Sequence, residues 1–189
     1  MSSRLQFLTA FRELQNEALF LASAMGYADV VEEVLTAMQT EIPSSNVRKL
    51  LVDRVDGSTG HTALIVAAHG GYQRVATLLI DAGANVGMQN ENGSTALFVA
   101  ALHGHADMVR YFAVLGADTA VVNDEGYTPL MAACSAGQGA VVEALLRLWN
   151  RQAHKEINVI NTVGDEPGCN NTMLSMARAF RLRLCTKLI

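Results

Sequence analysis

The sequence has few cysteines, few aromatic residues and no long apolar run. Three cysteines occur in 189 residues, Cys134, Cys169 and Cys185. An odd number without close pairing argues against a disulfide scaffold and fits a reducing compartment. With no uninterrupted apolar stretch of about 18 residues, a membrane span is not expected. Met1-Ser2-Ser3-Arg4 leads into no hydrophobic signal region or cleavage site, and residue 2 is not the glycine that myristoylation needs. The expected location is the cytoplasm, with the nucleus as the second choice. Half of the residues are hydrophobic, ample for one continuous core.

Charge of one sign is also scarce locally. Residues 1–144 carry 7 Lys/Arg against 15 Asp/Glu, and 145–189 carry 7 against 3, so a balance of −8 meets one of +4 to give −4 overall. Arg147, Arg151, Lys155, Arg178, Arg181, Arg183 and Lys187 form the basic end. Without interleaved aromatics or a recognised motif they read as a solvated helix face, and no nucleic-acid partner is expected.

What the chain does contain is repetition. Thr62, Thr95 and Thr128 lie 33 residues apart and open the phrases TALIVAAHGGYQRVATLLIDAGAN, TALFVAALHGHADMVRYFAVLGAD and TPLMAACSAGQGAVVEALLRL. A fixed period of this length, with two short apolar-periodic segments per unit, signals a helical solenoid whose units bury their faces against each other. Thr suits a helix N-cap, and Pro129 suits the first helical position, where no N–H is required. The pairs Ala67-Ala68, Ala100-Ala101 and Ala133-Cys134 remove bulk and let neighbouring first helices approach. Gly71, Gly104 and Gly137 supply the left-handed residue that ends each of them. Val75, Leu78 and Leu79 recur as Val109 and Phe112, then as Val141, Val142, Leu145 and Leu146, the stripe of a second amphipathic helix closed by Gly83 and Gly116. Asn90-Glu91-Asn92-Gly93 and Asn123-Asp124-Glu125-Gly126 place Asn first and Gly fourth, as a type I turn prefers, and should project as finger tips.

These phrases resemble ankyrin repeats. The family's Thr-Pro-Leu-His phrase stands here as Thr62-Ala63-Leu64-Ile65, Thr95-Ala96-Leu97-Phe98 and Thr128-Pro129-Leu130-Met131, with its His replaced by an apolar residue in every copy. The Gly-His step is Gly71-Tyr72, Gly104-His105 and Gly137-Gln138, and the Gly-Ala-Asp/Asn signature is Gly83-Ala84-Asn85 and Gly116-Ala117-Asp118. The resemblance implies an all-α solenoid of stacked helix-turn-helix units joined by β-hairpin-like loops. Its expected layout is one domain: an N-terminal capping helix over 1–16, a divergent repeat with an insertion over 17–55, repeats over 56–88 and 89–121, a repeat with an insertion over 122–165, and a partial capping repeat over 166–189.

The outer units are the irregular ones. Ala18-Leu19-Phe20-Leu21-Ala22 and Gly26-Tyr27 fit the same pattern, but Leu19 precedes Leu64 by 45 residues, so about a dozen extra residues fall near Thr40 to Asp53. Thr172 follows Thr128 by 44 residues, which places a second insertion around Trp149 to Cys169, with Trp149 read as its anchor. Arg181 stands where that unit wants Gly, so Thr172 to Leu188 reads equally as one longer capping helix. The eight methionines read as packing.

Catalytic, metal and cofactor residues are not expected. His103-Gly104-His105 could suggest a metal pair, yet the repeat register puts His105 at the turn-stabilising position and His103 on the concave side. Asp53, Asp56 and Ser58 lack the Gly and terminal Glu of a calcium loop and read as a repeat-linking turn. No base can be placed beside Cys134 or Cys169, and no Gly-rich phosphate cradle follows a strand. The resemblance instead implies a protein partner bound by hairpin tips and the concave face. Carried to matching positions, this selects Ser58, Thr59, His61 and His69; Glu91, Asn92, Ser94, Leu102 and His103; and Asp124, Glu125, Tyr127 and Ser135. Leu102, His103 and Tyr127 stand out as apolar or aromatic groups flanked by polar ones. A non-enzymatic adaptor is the leading expectation. The alternative is a targeting or regulatory module of a larger enzyme continuing past Ile189, suggested by Leu188-Ile189 ending inside a helix pattern. Weak self-association through that apolar end is a third reading.

Overall fold

The computed structural model describes residues 16–41, 44–57 and 59–153, and for Glu41 and residues 150–153 the backbone alone. By proximity the chain divides into Met1–Leu148 and Trp149–Ile189, and of the second unit only 149–153 are described. The helices are α1 (16–25), α2 (Ala28–Glu41), α3 (Ser45–Val52), α4 (Ala63–Gly70), α5 (Gln73–Asp81), α6 (Ala96–Leu102), α7 (Ala106–Val114), α8 (Pro129–Ser135) and α9 (Gly139–Ala153). No β-ladder occurs among the described residues. Two isolated antiparallel bridges, Val55 with Thr62 and Gln89 with Thr95, close the hairpin-like loops that precede α4 and α6.

Each first helix starts where its threonine predicts. Thr62 Oγ1 accepts from the Ile65 N–H at 3.3 Å, Thr95 Oγ1 from Phe98 at 3.2 Å, and Thr128 Oγ1 from Met131 at 3.2 Å, each cap holding extended backbone angles. Pro129 occupies the first turn of α8. The helices are seven or eight residues long, too short to persist alone, so packing must hold them. α6 lies between α4 and α8, while α5 packs on α4 and α7 on α6. Ala67, Ala68, Ala100, Ala101 and Ala133 are wholly enclosed, which permits this close approach. Val75, Leu79, Val109, Phe112 and Val141 form the second-helix stripe of the same core.

The chain turns after each first helix at Gly71, Gly104 and Gly137, whose φ values of 72°, 84° and 70° are the left-handed conformation that glycine adopts without strain. Their bare Cα atoms have a second use. A Cβ built on Gly71 would lie 2.6 Å from the His105 ring, and one on Gly104 would lie 2.4 Å from Gln138. Gly26 has the same relation to Tyr72, at 2.6 Å, which places α1 in the array.

The surplus near Thr40 to Asp53 is mostly helical: α2 continues to Glu41 and α3 fills Ser45–Val52. Asp53 Oδ1 accepts from the Asn85 N–H at 2.7 Å and ties the end of α3 to the loop after α5. At the other surplus α9 extends to Ala153 and Trp149 is largely exposed, while the rest of the insertion it is expected to anchor lies outside the described residues. Of the expected caps at 1–16 and 166–189 only Asn16 is described; the rest, with Arg181, Cys169 and Cys185, lies outside the described residues. Among those described, no helix is long and apolar enough to cross a membrane.

Two substitutions test this packing. Ser23, fully buried in the place Ala68 takes one unit later, has a hydroxyl without a partner. Ser23→Ala should therefore stabilise by about 1 kcal/mol and raise the melting temperature by about 2–4 °C. Gly71→Ala combines a left-handed φ with a clash on His105 and should cost at least about 1 kcal/mol. Thermal denaturation reads both, and an unchanged midpoint for Gly71→Ala would refute the stacking role.

Candidate functional site

Between units the chain makes two surfaces: the hairpin tips and the exposed turn of each first helix. Asn90 builds the second tip. Its Oδ1 accepts from the N–H groups of Asn92 at 3.0 Å and Ser94 at 2.8 Å, and its carbonyl accepts from Gly93 at 3.0 Å. This orientation turns Asn90 Nδ2 to His61 Nε2, 3.2 Å away, so the His61 ring accepts and links the first hairpin to the second. The third tip repeats the device. Asn123 Oδ1 accepts from the Tyr127 N–H at 2.8 Å, and Gly126 closes the turn onto the Asn123 carbonyl at 2.9 Å. Asp124 N–H donates across to the Asn92 carbonyl at 3.1 Å. A Cβ on Gly60 would meet Glu91 at 2.6 Å, so first and second tips also pack side by side.

The sequence-selected residues therefore divide by what their atoms already do. Thr59 donates through N and Oγ1 to Asp56 Oδ2 at 3.1 and 3.0 Å, and it caps the first turn. His61 is half-buried in the inter-hairpin bond, and Ser94 is buried, with its backbone N–H and carbonyl held by Asn90. Ser58 lies outside the described residues. Glu91, Asn92, Asp124, Glu125 and Tyr127 are exposed along the tips. His69, Leu102, His103 and Ser135 are exposed on the first helices, with the Ser135 hydroxyl donating to the Ala132 carbonyl at 2.9 Å.

His69 and His103 come together, with ring centroids 4.1 Å apart and planes inclined at 54°. His105 stands beneath them. Its Nε2 lies 3.0 Å from the His69 carbonyl, which can only accept, so the proton sits on Nε2. Burial first, then the charges of His69 and His105, push the His103 imidazole below its ordinary value. Among the described residues no group of three or more His, Cys, Asp or Glu side chains is placed to hold a metal ion. Cys134, half-buried at the edge of the core, has its thiol pushed up by burial, which favours the neutral form.

Two residues on this face escaped the sequence reading. Taking Gly26 as the counterpart of Gly71, Met25 matches Gly70 and His103, and Leu21 matches Val66 and Val99. Both are 59% exposed in α1. The first unit aligns on Gly26-Tyr27, but the carried-over site positions begin only at the second unit and so pass them by. Charge on this part of the chain is one-sided. Between residues 55 and 138 the only Lys/Arg are Arg74 and Arg110, both on second helices. Arg74 pairs with Asp29 at 3.2 Å and Glu32 at 3.4 Å, and Arg110 pairs with Asp107.

The depressed His103 pKa has a stability consequence. Its contribution is present above the unfolded imidazole value of about 6.5 and is lost as pH falls through the lower folded value. Melting temperature should therefore drop between about pH 7.5 and about pH 5, and His103→Asn should remove part of that drop. An equally steep drop in the variant would show that the pair contributes nothing.

Residues 74–161 match the family model for ankyrin repeats, in three copies. No curated protein matches the chain. With the period, the threonine caps, the glycine turns and the stacked helix pairs in place, residues 74–161 are read as ankyrin repeats.

Proposed function

We propose that this chain is a non-enzymatic adaptor that holds one protein partner along its hairpin tips and the exposed turn of its first helices. Ankyrin repeats generally serve as protein interaction modules, and the fold itself encodes no partner, so the argument rests on the site. The observation that carries it is the row Leu102, His103 and Tyr127. Leu102 is 36% and Tyr127 42% exposed, and Tyr127 engages the turn through its backbone. Apolar and ring surface is thus offered to solvent at positions where packing does not need it. Met25, the register counterpart of His103, is likewise exposed on α1.

The rim favours a partner of opposite sign. Among the described residues Glu91, Asp124 and Glu125 on the tips make no salt bridge, so basic groups flanking an apolar anchor would meet complementary charge. Such a surface gains affinity from a few central residues and specificity from its rim. We place this activity in the cytoplasm, where the free thiol of Cys134 would stay reduced.

The test is a paired affinity capture from native lysate with the wild-type chain and the double variant His103→Glu, Tyr127→Ala. A protein held by the wild type should bind the variant roughly tenfold or more weakly, with nearly unchanged melting temperature. A matching loss of stability would show that these residues pack; unaltered capture would sink the assignment of the site.

A further inference from the structure

Beside the repeated face, α1, α3 and the first hairpin enclose a cleft of about 570 Å³, within the span of roughly 300–1,000 Å³ that ligand sites occupy. Its lining sets apolar Phe20, Leu21, Val52 and Val55 beside charged Glu17, Arg54 and Asp56. Leu21 and Val55 are well exposed for their type. Asn16 also lines it. That residue is only 9% exposed, yet neither its Nδ2 nor its Oδ1 has a hydrogen-bond partner. Leaving both an amide donor and an amide acceptor enclosed and unpaired is costly, and native structures keep few such groups.

We infer that this cleft binds an extended, apolar peptide segment of a protein partner, with the Asn16 amide paired to one peptide group of that segment. The chemistry of the orphan selects the ligand. A carboxylate would satisfy Nδ2 and leave Oδ1 facing negative charge, whereas an ammonium would do the reverse. A backbone peptide group carries one acceptor and one donor and matches both atoms at once. The apolar walls take the flanking side chains. Both amide atoms are enclosed at rest, so pairing requires the Asn16 side chain to turn toward the entering peptide. The inference extends the protein-binding reading above but uses none of its residues.

The experiment uses the full chain labelled with nitrogen-15 and follows its amide spectrum during titration with N-acetyl-Leu-Leu-N-methylamide. A matched probe carries an ester in place of the central amide. The expected result is a set of shifts at the Asn16 side-chain amide, Leu21 and Val55, with the ester binding roughly fivefold more weakly. Val55→Arg should abolish those shifts. Asn16→Leu should erase the difference between amide and ester while the spectrum stays folded. A full chain that ignores the probe would overturn the inference, including the case in which residues 1–15 already fill the cleft. Equal binding of ester and amide to the wild type would overturn it too, as would shifts confined to Leu102 and His103. Because the probe is a free peptide, its failure leaves the lysate result standing, and the failure of either is read separately.

Discussion

The structure depends on one contact made again at each step: a side chain of one unit lies on the bare backbone of the glycine that ends the previous first helix. Tyr72 lies on Gly26, His105 on Gly71 and Gln138 on Gly104. The glycines are needed twice over, for a left-handed φ and for the empty space where a Cβ would stand. A phenol, an imidazole and an amide all serve, so the common element is shape. Hydrogen bonds are added where the chemistry permits: His105 Nε2 reaches the His69 carbonyl at 3.0 Å and Gln138 Nε2 the Leu102 carbonyl at 3.4 Å. Helices of seven or eight residues gain their persistence from this registration and from the alanine faces it brings together.

Much of this was legible because the period imposes it. A threonine every 33 residues predicts a cap, and the cap is made by the same atom in all three units. Asn first and Gly fourth in a tetrapeptide predict a turn, and Asn90 with Gly93 and Asn123 with Gly126 close it. The insertion was legible only as surplus length. Its helix α3 is fixed by contacts remote in sequence, Asp53 to Asn85 and Lys49 beside Gly83, which no period announces.

Site residues were legible by position and not by use. Thr59, His61 and Ser94 stand in the same register as exposed tip residues, yet each is committed to building a turn or linking two. The difference lies in whether Asn90 or Asp56 bonds to them, which register alone does not reveal. Asn16 shows the converse. It sits outside the repeated pattern, and its interest arises from what fails to surround it.

The lateral ties between tips, Asn90 to His61 and Asp124 to Asn92, have a kinetic meaning for recognition. Separate loops would each lose conformational freedom when a partner arrives, and the sum would oppose binding. Tips already joined to one another have surrendered that freedom during folding, so an incoming surface meets a comb with fixed teeth. Association through such a comb is expected to resemble rigid docking, with differences among partners expressed mainly in how long they stay.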